Sequence, residues 1–117
     1  MLNQVNIAKT IQSQLLHTVG QGVLWSWGQS ALQSVSESVL TTLGITNGLG
    51  ALKFKVNGHH HKGHVLIVLN GADTYDVYIC SIRKGQMKIK DEVKGLYFDE
   101  VGSWIDEKVE YVEEYAS

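Results

Sequence analysis

Residues 51–57 read Ala-Leu-Lys-Phe-Lys-Val-Asn, and residues 64–70 read His-Val-Leu-Ile-Val-Leu-Asn. In the first, Leu52, Phe54 and Val56 alternate with Lys53, Lys55 and Asn57. A period of two marks a strand with one face buried and one open. In the second, Val65 to Leu69 is apolar without a break, the mark of a strand covered on both faces or lying centrally in the sheet. The stretch Asn57 to Gly63 between them, with glycine near both ends, predicts a hairpin. An antiparallel sheet is therefore the frame on which the other segments are placed.

Working forward, Gly71-Ala72-Asp73 makes a turn, with Asp73 expected to bond the backbone amides ahead of it. Residues 74–82 follow as a third strand with Tyr75, Val77 and Ile79 on one side. A further turn at 83–86 leads to a fourth strand over 86–91, where Met87 and Ile89 alternate with Lys88 and Lys90. Val101, Trp104, Ile105, Val109 and Val112 then fall on one face of a helix predicted over 99–114, with Asp99 at its start. Gly102 within it implies either close packing or a local weakness.

Working backward, Leu2, Ile7, Ile11, Leu15 and Leu16 predict a helix over 2–18, and glycines at 20 and 22 interrupt it. Leu24, Trp27, Leu32, Val35, Val39 and Leu43 predict a second helix over 24–43. The whole reads as a single α+β domain over residues 1–117. Its expected fold is a four-stranded antiparallel sheet with two N-terminal helices and one C-terminal helix packed on one face. Leu52, Phe54, Val56, Val65, Ile67, Leu69, Val77, Ile79, Met87 and Ile89 are expected to face the helices.

A length of 117 residues suits one core, and an apolar share of 44% excludes a disordered chain. The lone Cys80 has no partner for an internal disulfide, no opening segment has signal-peptide character, and the weakly charged stretch 10–52 is too polar for a membrane span. A cytoplasmic location and no membrane partner are the expectations. The net charge of −2 is unevenly spread. Residues 1–50 hold only Lys9 against Glu37, residues 51–98 hold eight basic groups against four acidic, and residues 99–117 hold seven acidic against one basic.

The chemistry available divides into three classes. The first is association with another protein or with itself through the nearly uncharged N-terminal helices, with Trp25, Trp27, Leu24 and Leu32 as contact residues. Two tryptophans two positions apart do not share one helical face, and interface cores are depleted of charge and enriched in tryptophan. The second is nucleic-acid binding by a basic outer sheet face of Lys53, Lys55, Tyr78, Lys88 and Lys90, with lysines on phosphates and the tyrosine stacked on a base. The competing view is that lysines only keep an open face soluble. The third is a metal or catalytic site at His59, His61 and His64, since alternation sends His60 to the opposite side and imidazole is a common ligand. Here no HExxH or cysteine spacing supports it, and a solvated hairpin tip explains the cluster equally.

Cys80 reads as a structural thiol, because nothing beside it in sequence would lower its pKa. The acids Asp106 and Glu110 read as a solvated helix face, and Gly44 to Gly50 lacks either phosphate-loop pattern. No cofactor is expected, and the chain reads as non-enzymatic.

Trp25-Ser26-Trp27-Gly28, Leu52-Lys53-Phe54-Lys55-Val56, Leu69-Asn70-Gly71-Ala72-Asp73-Thr74-Tyr75-Asp76-Val77 and the acidic C-terminal helix resemble small proteins of bacterial viruses and mobile elements that carry no assigned activity. The resemblance spans about residues 23–114. It implies an accessory role in a bacterial cell and transfers no functional residue.

Overall fold

The computed structural model describes residues 4–57 and 62–109. In chain order it contains α1 (Gln4–Val19), α2 (Gln21–Ser26), β1 (Ser30–Val35), α3 (Glu37–Thr42), β2 (Gly48–Asn57), β3 (Lys62–Asn70), β4 (Tyr75–Arg83), β5 (Gln86–Leu96) and α4 (Phe98–Val109). The sheet is an antiparallel meander in the order β1-β2-β3-β4-β5. It has five strands rather than four.

The additional strand lies inside the segment expected to be one helix over 24–43. Gly28 adopts φ +66°, and its N–H turns back to the Trp25 carbonyl at 2.9 Å, which stops α2. The backbone there passes so close to β2 that a Cβ on Gly28 would lie 3.1 Å from that of Asn57, whose N–H donates to the Trp27 carbonyl at 2.7 Å. Eight residues after Gly28, Ser36 caps a new helix, its hydroxyl accepting from the Val39 amide at 3.4 Å with Glu37 in the first turn. The helical spacing of Leu24 through Leu43 was the sum of two short helices and a strand.

Two apolar clusters flank the sheet. On one side Ile7, Ile11 and Leu15 of α1, Leu24 of α2 and Val101, Ile105 and Val109 of α4 meet Leu52, Phe54, Val56, Val65, Ile67, Leu69, Val77 and Ile79. Eight of the ten residues expected to face helices do so. On the other side Leu40 of α3 and Ile45 pack with Val35, Ala51, Leu66, Val68, Tyr78 and Cys80. Since α3 belongs to this second layer, helical cover is divided between the two faces.

The two exceptions are Met87 and Ile89. Lys84 and Gly85 both take positive φ, 52° and 78°, so a two-residue hairpin loop sets Met87 opposite Ile82 and Ile89 opposite Cys80. This registers both with the outer face, where Met87 packs on the second cluster. Lys88 is instead opposite Ser81, and a register shift follows between Ile79 and Cys80.

The β3–β4 turn is organised by Asn70, not by Asp73. The Asn70 Oδ1 accepts from the backbone amides of Ala72 at 2.9 Å and Thr74 at 3.2 Å, and its Nδ2 donates to Thr74 Oγ1 and Asp76 Oδ1, both at 2.9 Å. Asp76 Oδ1 also accepts from the Gly95 amide at 3.0 Å, which links the turn to β5. Asn70 and Asp76 are buried, and these bonds meet the cost of placing polar groups there.

Gly102 marks close packing, because a Cβ there would overlap the Val19 side chain at the end of α1. Gly102→Ala would raise intrinsic helix propensity by about 1 kcal/mol. Overpacking against Val19 costs about 1–3 kcal/mol and opposes it. The expected outcome is a lower urea midpoint with an unchanged slope; a raised midpoint would show that α1 and α4 do not meet here.

Candidate interaction surface

The four residues expected at an interface separate into two pairs. Leu24 and Trp27 are in the core, at 1% and 0% exposure. The Trp27 ring stacks nearly parallel on Phe54 with 6.4 Å between centroids, and its Nε1–H donates to Asp106 Oδ1 of α4 at 2.8 Å. Burying a tryptophan requires a partner for that N–H, and Asp106 provides it. Trp25 and Leu32 are open to solvent, at 77% and 46%. The apolar spacing sets Trp27 with Leu24 and leaves Trp25 out, in line with their burial, but the Asp106 partner, 79 positions along the chain, is not legible in it.

Part of the uncharged front has a structural explanation. Gln12 of α1 and Gln29 exchange two amide hydrogen bonds, at 3.1 and 3.0 Å, and Gln14 Oε1 accepts from the Tyr75 hydroxyl at 2.7 Å. Thr18, Thr41 and Thr42 hydroxyls donate to carbonyls within their own helices. Trp25 of α2 and Leu32 of β1 are exposed and make no such bond among the described residues.

Strand β1 is one edge of the sheet and β5 the other. Edges present unpaired backbone groups, and proteins guard them with charge, proline or bulges. β5 carries Lys88, Lys90, Asp91, Glu92 and Lys94, whereas Ser30-Ala31-Leu32-Gln33-Ser34-Val35 carries no charged residue and no proline. All of β1 except Val35 is exposed. A bulge near its start, where Ala31 has φ 54°, leaves Gln33–Val35 as the regular portion, paired with Lys53, Leu52 and Ala51.

A groove lies on each side of this edge. On the outer face a space of about 670 Å³ is bounded by Val35, Val39, Leu43, Leu66 and Met87, with Lys53 among its walls. On the α1 side a smaller one of about 290 Å³ runs between Ala8, Lys9 and Gln12 of α1 and Leu32 and Leu52 of the sheet. Gln33 and Ser34 line both.

The proposed basic face is not assembled as expected. Lys53 and Lys55 lie on the outer side, in register with Leu66 and His64. Tyr78 is only 3% exposed and packs in the second cluster, so its ring is not available for stacking on a base. Burial also raises its pKa, with the nearby Asp76 and Glu92 adding to the shift. Lys88 is in register with Ser81, on the opposite parity to Cys80. His59 and His61 lie outside the described residues, while His64 is half-buried opposite Lys55 and Cys80. Among the described residues no group of three His, Cys, Asp or Glu side chains is placed to hold a metal ion.

Cys80 is fully buried, and that burial pushes its thiol up to about 11, Lys53 pulling weakly the other way. Such a thiol is a poor nucleophile at neutral pH. Among the described residues no helix is long and apolar enough to cross a membrane. Compared with protein families, curated proteins and solved structures, the chain matches none.

Two outcomes test these placements. Trp25→Ala is expected to change unfolding free energy by less than about 0.5 kcal/mol, whereas Trp27→Ala is expected to cost about 3–5 kcal/mol, both read from urea denaturation. Because the folded Cys80 pKa lies above its ordinary value, the native state retains a proton that the unfolded chain releases. Stability is therefore expected to fall as pH rises from about 9 toward 11. Tyr75 and Tyr78, also raised, contribute in the adjoining alkaline range, so the share due to Cys80 is the part of the slope absent from Cys80→Ala.

Proposed function

We propose that this chain is a non-enzymatic accessory protein that binds another protein through its uncharged N-terminal face. The observation that carries the reading is Trp25, an indole 77% exposed. Tryptophan is enriched at binding hot spots, and the Trp25 indole is free to make such a contact. Leu32 and the neutral edge β1 support it, since depletion of charge is the compositional signal of an interface core. The resemblance to small proteins of bacterial viruses and mobile elements agrees with an accessory role. Nucleic-acid binding by the basic sheet face is the weaker reading, because Tyr78 is buried and Lys88 has the other parity.

The test is the mass of the protein recovered from its native cells at native abundance, measured by sedimentation. A species heavier than the 13.0 kDa monomer is expected. Trp25→Ala, which leaves the core untouched, is expected to weaken that association about 30-fold, the equivalent of a 2 kcal/mol hot spot. A monomer with no bound protein, or a complex indifferent to Trp25→Ala and Leu32→Ser together, would end the reading.

A further inference from the structure

We infer that β1 receives an extended, acidic and apolar segment of a partner protein, which adds to the sheet as a sixth strand. The inference rests on the association reading above and specifies the chemistry of what associates. Its basis is the coincidence of an edge that carries neither charge nor proline, and is bulged only before Gln33, with a groove on each face of the sheet beside it. A strand added to an edge gains main-chain hydrogen bonds along its length and sends alternate side chains to the two faces. Gln33 and Ser34, which border both grooves, stand at the middle of the seam. The apolar walls of the outer groove, Val35, Val39, Leu43 and Met87, suit the aliphatic side chains of such a segment.

Charge selects the partner. Each groove contains one lysine, Lys53 on the outer face and Lys9 on the α1 side, and neither has an acidic partner among the described residues. An incoming carboxylate is matched in either register. A second copy of β1 is not, since Ser30–Val35 is neutral and would bring no counter-charge to either ammonium. The bulge before Gln33 confines regular pairing to the C-terminal half of the strand, which favours a short segment over a long sheet-to-sheet junction.

The probe is a blocked peptide of alternating valine and glutamate of about seven residues, enough to span the edge at ~3.3 Å per residue. Fluorescence anisotropy is expected to show saturable binding to the full chain, with slowed amide exchange at Gln33–Val35. The same peptide with lysine for glutamate is expected to bind weaker by on the order of tenfold, and Lys53→Glu to invert that preference. Lys9→Glu, on the exposed face of α1, provides a second reversal should Lys53→Glu disturb the sheet. Equal binding of both peptides, or binding without protection at β1, would overturn the inference. So would failure to bind the acidic peptide, or a β1-paired dimer that the peptide does not dissociate. In these last two cases a heavier native complex sensitive to Trp25→Ala would leave the association reading standing.

Discussion

Strand β3 has to be dry on both sides. Val65, Leu66, Ile67, Val68 and Leu69 are all buried, and each alternate residue looks to a different layer. Burying each such side chain contributes about 1.5–3 kcal/mol, so neither layer is dispensable. The helices α1, α2 and α4 form one cover with Trp27 and Phe54 at its centre. The opposite cover is smaller, made by α3, Val35 and Ile45 over one part of the sheet. Where that cover stops, the outer groove begins, with Leu66 and Met87 contributing to its walls.

The central frame could be read from the chain because its signals are local. Alternation in β2 and the unbroken apolar run in β3 follow from period two and from double burial, and both describe neighbours in sequence. The errors arose where the deciding partner was distant or the cue was a single residue. Gly28 and Ser36 divide the segment 24–43, but the apolar spacing on either side of them happens to continue in phase. The parity of β5 depends on a two-residue loop at Lys84 and Gly85, and one residue of difference in that loop exchanges the faces.

The same division holds for the candidate surface. Lack of charge in residues 1–50 was visible, but its causes were mixed. Gln12 and Gln14 are neutral because they bond Gln29 and Tyr75, and that is a matter of folding. Trp25 and Leu32 have no such role, and the strand that makes β1 an exposed edge was hidden within a supposed helix. The grooves beside it could not be anticipated, since they are shaped by α1, α3 and the β4–β5 hairpin together.

The bond between Trp27 and Asp106 joins the first quarter of the chain to its last helix. During synthesis the nascent polypeptide therefore cannot make that hydrogen bond until the 79 residues after Trp27, up to Asp106 itself, have been added, a delay of roughly 4–16 s at ordinary elongation rates. For that interval the Trp27 indole N–H is without its carboxylate partner.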